Sequence, residues 1–351
     1  MNIARTQNQN KEVMLFAKAL SIMAVVLVHM LAFFPETIYT ESDYKLLFVG
    51  LNQLLRFSVP LFLALSGFGL SQKYGGKSIS IKKFMVRRFR KLLPLYVLWS
   101  VILIMVFRLS GYWEQSQGNL WQTIVFGKAD YHLYFVPLIF QLYLLFTLLP
   151  KLKTLKQFLG LVAVTVLVQV GWFSFIRIIS GQETNAVNKL LLDDQVQYRL
   201  LHNWLFYFMF GVLFSQINLG WVRSKRLVKY VLGVVIGVGL VWSVIDAQML
   251  IRDTGNLIYA TSFIRLPVLV YATGLITAVL VFGESIFKFR AMRWKGWQVI
   301  GIYSYVIYLS HTLGLRVIEG MLSNHMGEPS LVMAGILLVV GTVVSNKFLL
   351  A

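Results

Sequence analysis

Ten apolar stretches of about 20 residues, separated by short polar or basic segments, constrain this chain more than any other feature. They are Val13–Phe34, Leu46–Leu70, Leu92–Leu109, Leu133–Leu149, Phe158–Ile176, Leu201–Ile217, Leu227–Ile245, Ser262–Phe282, Trp297–Val317 and Ser330–Leu350. A helix rises about 1.5 Å per residue, so runs of this length match a hydrocarbon layer roughly 30 Å thick. The pattern predicts an all-α, polytopic transmembrane bundle of about ten helices, multi-pass in a cell membrane. Composition agrees: 58% of residues are hydrophobic and 13% charged, against roughly twice that charged fraction in a soluble domain. The first run is too long for a cleaved signal peptide and reads as a permanent span. Residues 1–11 read as a polar cytoplasmic tail and 12–351 as one transmembrane domain, without internal repeat or low-complexity segment.

The polar segments fix an orientation. When the sides are alternated, one side collects Lys73, Lys77, Lys82, Lys83, Arg87, Arg88, Arg90 and Lys91, then Lys151, Lys153 and Lys156. It also collects Arg223, Lys225, Arg226, Lys229, Lys288, Arg290, Arg293 and Lys295. Of the fourteen acidic residues only Glu12 and Glu284 fall there. The excess of Lys and Arg marks that side as cytoplasmic, with both termini inside. An odd number of spans would spoil the separation. The net charge of +19 therefore belongs to loops against the bilayer and does not describe a nucleic-acid surface. The absence of cysteine excludes disulfides, thiolate metal sites and cysteine nucleophiles.

Ionisable side chains within spans are costly and commonly face a protein interior or a water-filled path. Lys18, His29, Arg56, Arg265 and His311 fall in or next to apolar runs, and no run contains Asp or Glu. These bases are thus expected to lack a carboxylate partner in the membrane. Either an anionic ligand completes them, or they snorkel and bond backbone carbonyls. Lys18 and His29 are eleven residues apart, about 16 Å and three turns along a helix, and so share a face. Lys18 falls in the cytoplasmic half and His29 in the outer half.

All five histidines, His29, His132, His202, His311 and His325, fall in the outer half or on the outer side. Imidazole serves as a general base near neutral pH, so the pattern points to chemistry near the outer face. For His132, His202 and His325 an ordinary interfacial role explains the placement equally well. No histidine spacing supports a metal site. The run FMVRRFRKLLPLY (Phe84–Tyr96) sets four bases before Pro94. It reads either as a positive-inside anchor or as a phosphate site.

These segments, in this order, resemble the acyltransferase-3 family of membrane acyltransferases. KEVMLFAKALSIMAVVLVHM (Lys11–Met30) resembles the opening signature, a base and then a histidine, here Lys18 and His29. SVPLFLALSGFGL (Ser58–Leu70) is similar to the second-helix pattern, and FMVRRFRKLLPLY to the two-base motif before proline. HLYFVPLIFQLYLLFTLLP (His132–Pro150), FYFMFGVLFS (Phe206–Ser215) and IGIYSYVIYLSHTLGL (Ile300–Leu315) resemble later helices. Within the family, HLYFVPLIFQLY looks most like the branch that modifies intercellular-adhesion polysaccharides. The chain departs from the pattern in Lys18, where arginine is usual, in Met14, often acidic, and in Tyr134, commonly tryptophan. Counting back from Pro94 selects Arg88 and Lys91 as the paired bases; the spacing also admits Arg87 and Arg90.

The resemblance implies transfer of an acyl group, acetyl first and succinyl second, from cytoplasmic acyl-CoA to a hydroxyl of an extracytoplasmic polysaccharide or lipid-linked glycan. Acyl-CoA is then a co-substrate, with no permanently bound cofactor and no metal. Arg88, Lys91, Arg87 and Arg90 would hold its phosphates. His29 would be the base, in its neutral form, with Lys18 beside the thioester arm. Ser66, His132, Tyr134, Tyr308 and His311 are candidates for contacting substrate or the oxyanion. Partners expected are the bilayer, the glycan acceptor and a glycan synthase complex, but no nucleic acid. The competing function is a polysaccharide exporter, for which paired broken helices would be expected; the sequence shows no such symmetry.

Overall fold

The computed structural model describes residues 3–32, 37–40, 43–75, 79–109, 119–149, 154–180, 186–217, 222, 224–286 and 294–322. Among the described residues every regular element is a helix and there is no strand. The longer helices are α1 (Ile3–Leu31), α3 (Lys45–Leu55), α4 (Ser58–Tyr74) and α5 (Ile81–Leu109), with the short α2 (Thr37–Thr40) between α1 and α3. Then follow α6 (Leu120–Val125), α7 (Phe135–Leu148), α8 (Leu155–Ile179), α9 (Ala186–Leu192), α10 (Asp194–Gln197) and α11 (His202–Phe214). The last are α12 (Arg226–Thr254), α13 (Leu257–Ala260), α14 (Leu266–Ile286) and α15 (Lys295–Leu322).

Among the described residues, six segments are long and apolar enough to cross a membrane: Lys11–Leu31, Lys45–Tyr74, Ile81–Leu109, Leu155–Ile179, Arg226–Thr254 and Leu266–Gly283. The shorter α7 is also apolar, α11 has 13 residues, and α15 has 28. The tenth expected span, Ser330–Leu350, and His325 lie outside the described residues.

Two expected spans differ in detail. Leu46–Leu70 is two helices, α3 and α4, with a turn at Arg56–Phe57. Pro60 explains the break: in a continuous helix its ring would collide with the Arg56 carbonyl, and it has no N–H to give. The chain closes the gap with a tighter bond, the Arg56 N–H donating to the Gln53 carbonyl at 3.1 Å. By contrast α5 runs straight through Pro94, so the bases expected in a loop stand on the first turns of a 29-residue helix.

The structure divides into two compact units, residues 1–77 with 150–302 and residues 78–149 with 303–351. In the first, α4 packs closely on α11 because Gly67 and Gly211 face backbone: a Cβ at Gly67 would overlap the Phe208 carbonyl, and one at Gly211 the Ala64 carbonyl. Small residues at such contacts are how helices associate where no hydrophobic effect drives them together. The second unit has its own core of Leu95, Trp99, Leu103, Leu133, Leu309 and Leu313. It is stitched by the Tyr305 hydroxyl donating to the Leu92 carbonyl at 2.9 Å and by Tyr96 donating to the Ile124 carbonyl.

One expectation is overturned. Arg265, 2% exposed, does have a carboxylate partner: its Nη1 donates to Asp246 Oδ2 at 2.6 Å. It also donates to the Ser243 carbonyl at 3.3 Å and to the Gln53 side chain. Asp246 lies one residue past the expected span Leu227–Ile245, but α12 continues to Thr254 and carries it. Arg56 is half-buried and its Nε donates to Asn52 Oδ1 at 2.8 Å.

Candidate active site

Lys18 and His29 both stand on α1, which is unbroken from Ile3 to Leu31. The eleven-residue spacing therefore holds as helix geometry, about 16 Å apart on one face. Each is half-buried, among neighbours that are largely inaccessible, such as Ala17, Ala19, Ile22, Ala24, Val25 and Val28. Ser66 is half-buried on α4 in the same unit, and α4 packs against α1.

In the second unit α5 separates the four bases by environment. Arg88 is half-buried, its guanidinium 5.2 Å from the Phe84 ring centroid and 5.1 Å from that of Tyr143 on α7. Arg87, Arg90 and Lys91 are exposed. At 100° per residue Arg87, Arg90 and Lys91 fall within about 100° of one another, a strip that a polyphosphate can span. Counting from proline had selected Arg88 and Lys91; burial against two aromatic rings gives Arg88 a packing role as well.

The same unit brings together four of the five substrate candidates. His132 lies in the turn before α7 and is 3% exposed, and His311 on α15 is 6% exposed. Their rings meet edge to face with centroids 4.7 Å apart. Tyr308, one turn before His311, lies 5.3 Å from the His132 ring, and its hydroxyl donates to the His132 carbonyl. His311 Nδ1 is 2.8 Å from the Tyr308 carbonyl. A carbonyl only accepts, so this contact places the proton on Nδ1 and leaves the lone pair on Nε2, the arrangement a base requires. Tyr134, 7% exposed, heads α7 beside Tyr308.

Sequence reasoning missed Asp130, which completes this group. Its Oδ2 lies 3.5 Å from His132 Nδ1, with both side chains 3% exposed. Thr312 and Arg316 also act on it. Burial pushes the carboxyl up, but His132, Thr312 and Arg316 together outweigh burial and hold it down at about 2. The Asp130 side chain also accepts from the Tyr131 N–H at 2.7 Å. The available signal was the spacing in ADYH, which puts a carboxylate two residues before a histidine within one tight turn. No group of side chains among the described residues is suited to hold a metal ion.

A model for the acyltransferase-3 family, described as an acyltransferase domain, matches residues 16–345. The chain belongs to that family. The match takes in both α1 bases, the α5 strip and the Asp130–His132–His311 group. No curated protein and no solved structure matches it. Membership makes the chain a membrane acyltransferase by family.

Proposed function

We propose that this acyltransferase moves an acyl group, acetyl in the first instance, from cytoplasmic acyl-CoA to a hydroxyl of a cell-surface polysaccharide or lipid-linked glycan outside the membrane. The observation that carries the reading is the single helix α1, which holds Lys18 and His29 on one face within a chain of this family. The topology that goes with it has ten crossings and cytoplasmic termini, so that Arg87, Arg90 and Lys91 face the compartment that holds acyl-CoA. Guanidinium and ammonium groups bind phosphates of this kind, and Lys18 shares the α1 face with His29.

His29, neutral, takes the proton of the acceptor hydroxyl. The oxygen attacks the thioester carbonyl, the C–S bond breaks, and the imidazolium returns the proton to the departing thiolate. Atoms and charge balance without a further reactant. The buried Asp130–His132–His311 group supports a substrate-holding role within the second unit itself. HLYFVPLIFQLY supports an acceptor of the intercellular-adhesion type.

Inside-out membrane vesicles containing wild type or His29→Ala, supplied with radiolabelled acetyl-CoA, test the reading. Label in lumenal or lipid-linked glycan with wild type, and none with a variant that accumulates normally, is the expected result. Equal label from both removes His29 as the base. No label from wild type with either acetyl-CoA or succinyl-CoA removes the transferase reading in favour of export.

A further inference from the structure

Helix α5 is 29 residues long, about 43 Å, so it outreaches a hydrocarbon layer of roughly 30 Å and its first turns stand among lipid headgroups. Six bases fall in its first eleven residues, and the helix holds no acid. Arg88 is turned inward against the rings of Phe84 and Tyr143. Lys82, Lys83, Arg87, Arg90 and Lys91 are exposed, and among the described residues no carboxylate pairs with them.

Two of these bases are set apart by the row they belong to. At about 100° per residue, Arg87, Arg90, Val97, Val101 and Met105 fall within about 80° of one another. Val97, Val101 and Met105 are 36%, 37% and 45% exposed, whereas Trp99 and Leu103, on the opposite side of the helix, are fully buried in the core of the second unit. The outward face of α5 therefore passes directly from guanidinium groups into an apolar row. From Arg90 to Val101 is eleven residues, about 16 Å of rise, close to half of a hydrocarbon layer.

A free nucleotide or inorganic phosphate would use the charges and leave the apolar row idle. A molecule with a phosphate at one end and alkyl chains at the other uses both, and it lies along the helix without needing a cavity. Guanidinium binds phosphate oxygens in pairs, and an arginine stem can lie on apolar surface while its head stays at the interface. With Lys82, Lys83 and Lys91 close by, the surroundings favour a headgroup of net negative charge over a zwitterion, whose ammonium they repel. We propose that Arg87 and Arg90 hold the phosphate of one anionic phospholipid, whose chains run along Val97, Val101 and Met105, and that acyl-CoA must displace it. The displacement rests on the acyl-CoA reading of these bases; the lipid site does not.

Native mass spectrometry of the full chain in detergent is the test, with phosphatidylglycerol and phosphatidylcholine of matched chains as probes. Wild type should hold one phosphatidylglycerol at least tenfold more tightly than phosphatidylcholine. Arg87→Gln with Arg90→Gln should weaken phosphatidylglycerol tenfold or more, at an unchanged unfolding midpoint without added lipid. Arg226→Gln with Lys229→Gln, an exposed basic pair at the start of α12, should leave that affinity as it is. Equal binding of the two lipids, or equal losses from the two pairs of substitutions, overturns the site and leaves only a general attraction between basic turns and an anionic surface. Inorganic phosphate at millimolar concentration should not displace the lipid; if it does, the charges suffice and the chain contact is refuted. Acetyl-CoA should lower the lipid-bound fraction. If acetyl-CoA binds and the lipid stays, the donor reading of Arg87 and Arg90 falls and the lipid site stands. If acetyl-CoA binds through these bases and no lipid does, the lipid site falls and the donor reading stands.

Discussion

Replacing Asp246 by asparagine isolates a buried charge whose surroundings the structure defines closely. Arg265 is 2% exposed and Asp246 is its one carboxylate within 4 Å among the described residues, at 2.6 Å. Removing one partner of a buried ion pair leaves the other charge uncompensated, at about 3–5 kcal/mol. At about 2 °C per kcal/mol for a chain of this size, Asp246→Asn lowers the midpoint of thermal unfolding by roughly 6–10 °C. Removing both charges, in Arg265→Met with Asp246→Leu, strands the Gln53 amide that bonded Arg265, so about 1–3 kcal/mol of loss remains. Adding Gln53→Leu removes that residue of cost and returns the midpoint to near wild type. Arg177, also 3.5 Å from Asp246 but 40% exposed, contributes under about 1 kcal/mol as a solvent-facing pair; Arg177→Gln should barely register. The assay is intrinsic-fluorescence melting of purified protein in nanodiscs. If Asp246→Asn melts within 2 °C of wild type, the pair does not hold α3, α12 and α14 together, and the reasoning fails. The same follows if the double variant is less stable than the single.

Three further outcomes follow from other parts of the structure. Charge removal at Arg87, Arg90 and Lys91 raises the KM for acyl-CoA at least tenfold with little change in stability; Arg88→Met instead lowers stability through lost ring contacts, by about 1 kcal/mol, and vesicle kinetics beside melting curves separate the two. Asp130 has a folded pKa held below its unfolded value, so its contribution, on the order of 2 kcal/mol, is present above pH ~4 and lost as pH falls through about 2; unfolding midpoints between pH 2 and 6 should decline in wild type and stay flatter in Asp130→Asn. Gly211→Leu forces α4 from α11 against the Ala64 backbone and costs at least about 2 kcal/mol as overpacking, seen as loss of monodisperse protein on size exclusion.

Much of this architecture is written in hydropathy, because lipid permits an apolar run few alternatives to helix. That is why α1, α8, α12 and α14 lie where the runs predict. The break at Arg56–Phe57 was less visible: apolarity continues through it, and only Pro60 marks it. Asp246 was misplaced for a related reason, since a charge ends an apolar window but does not end a helix. Among the candidate residues, the Lys18–His29 spacing is local and survives intact. The meeting of His132 with His311 joins positions 179 residues apart, which no local pattern encodes. Asp130 drew no notice because an acid in a loop is ordinary until the fold buries it against a histidine. The buried amides of α8 and α11, Gln169 and Asn203, drew no notice because they carry no charge, and only ionisable side chains were singled out within the apolar runs.

Helix α5 carries charge at both ends, Arg87, Arg90 and Lys91 near its start and Arg108 one residue before its close. From Lys91 to Arg108 is 17 residues, about 25 Å of rise, a little less than the hydrocarbon thickness. Sliding this rod by one turn in either direction would drag a cation into the hydrocarbon, at up to about 3 kcal/mol on insertion scales. The helix is thereby pegged at a fixed depth, and an anion held by its basic first turns would meet the membrane at the same height each time it bound.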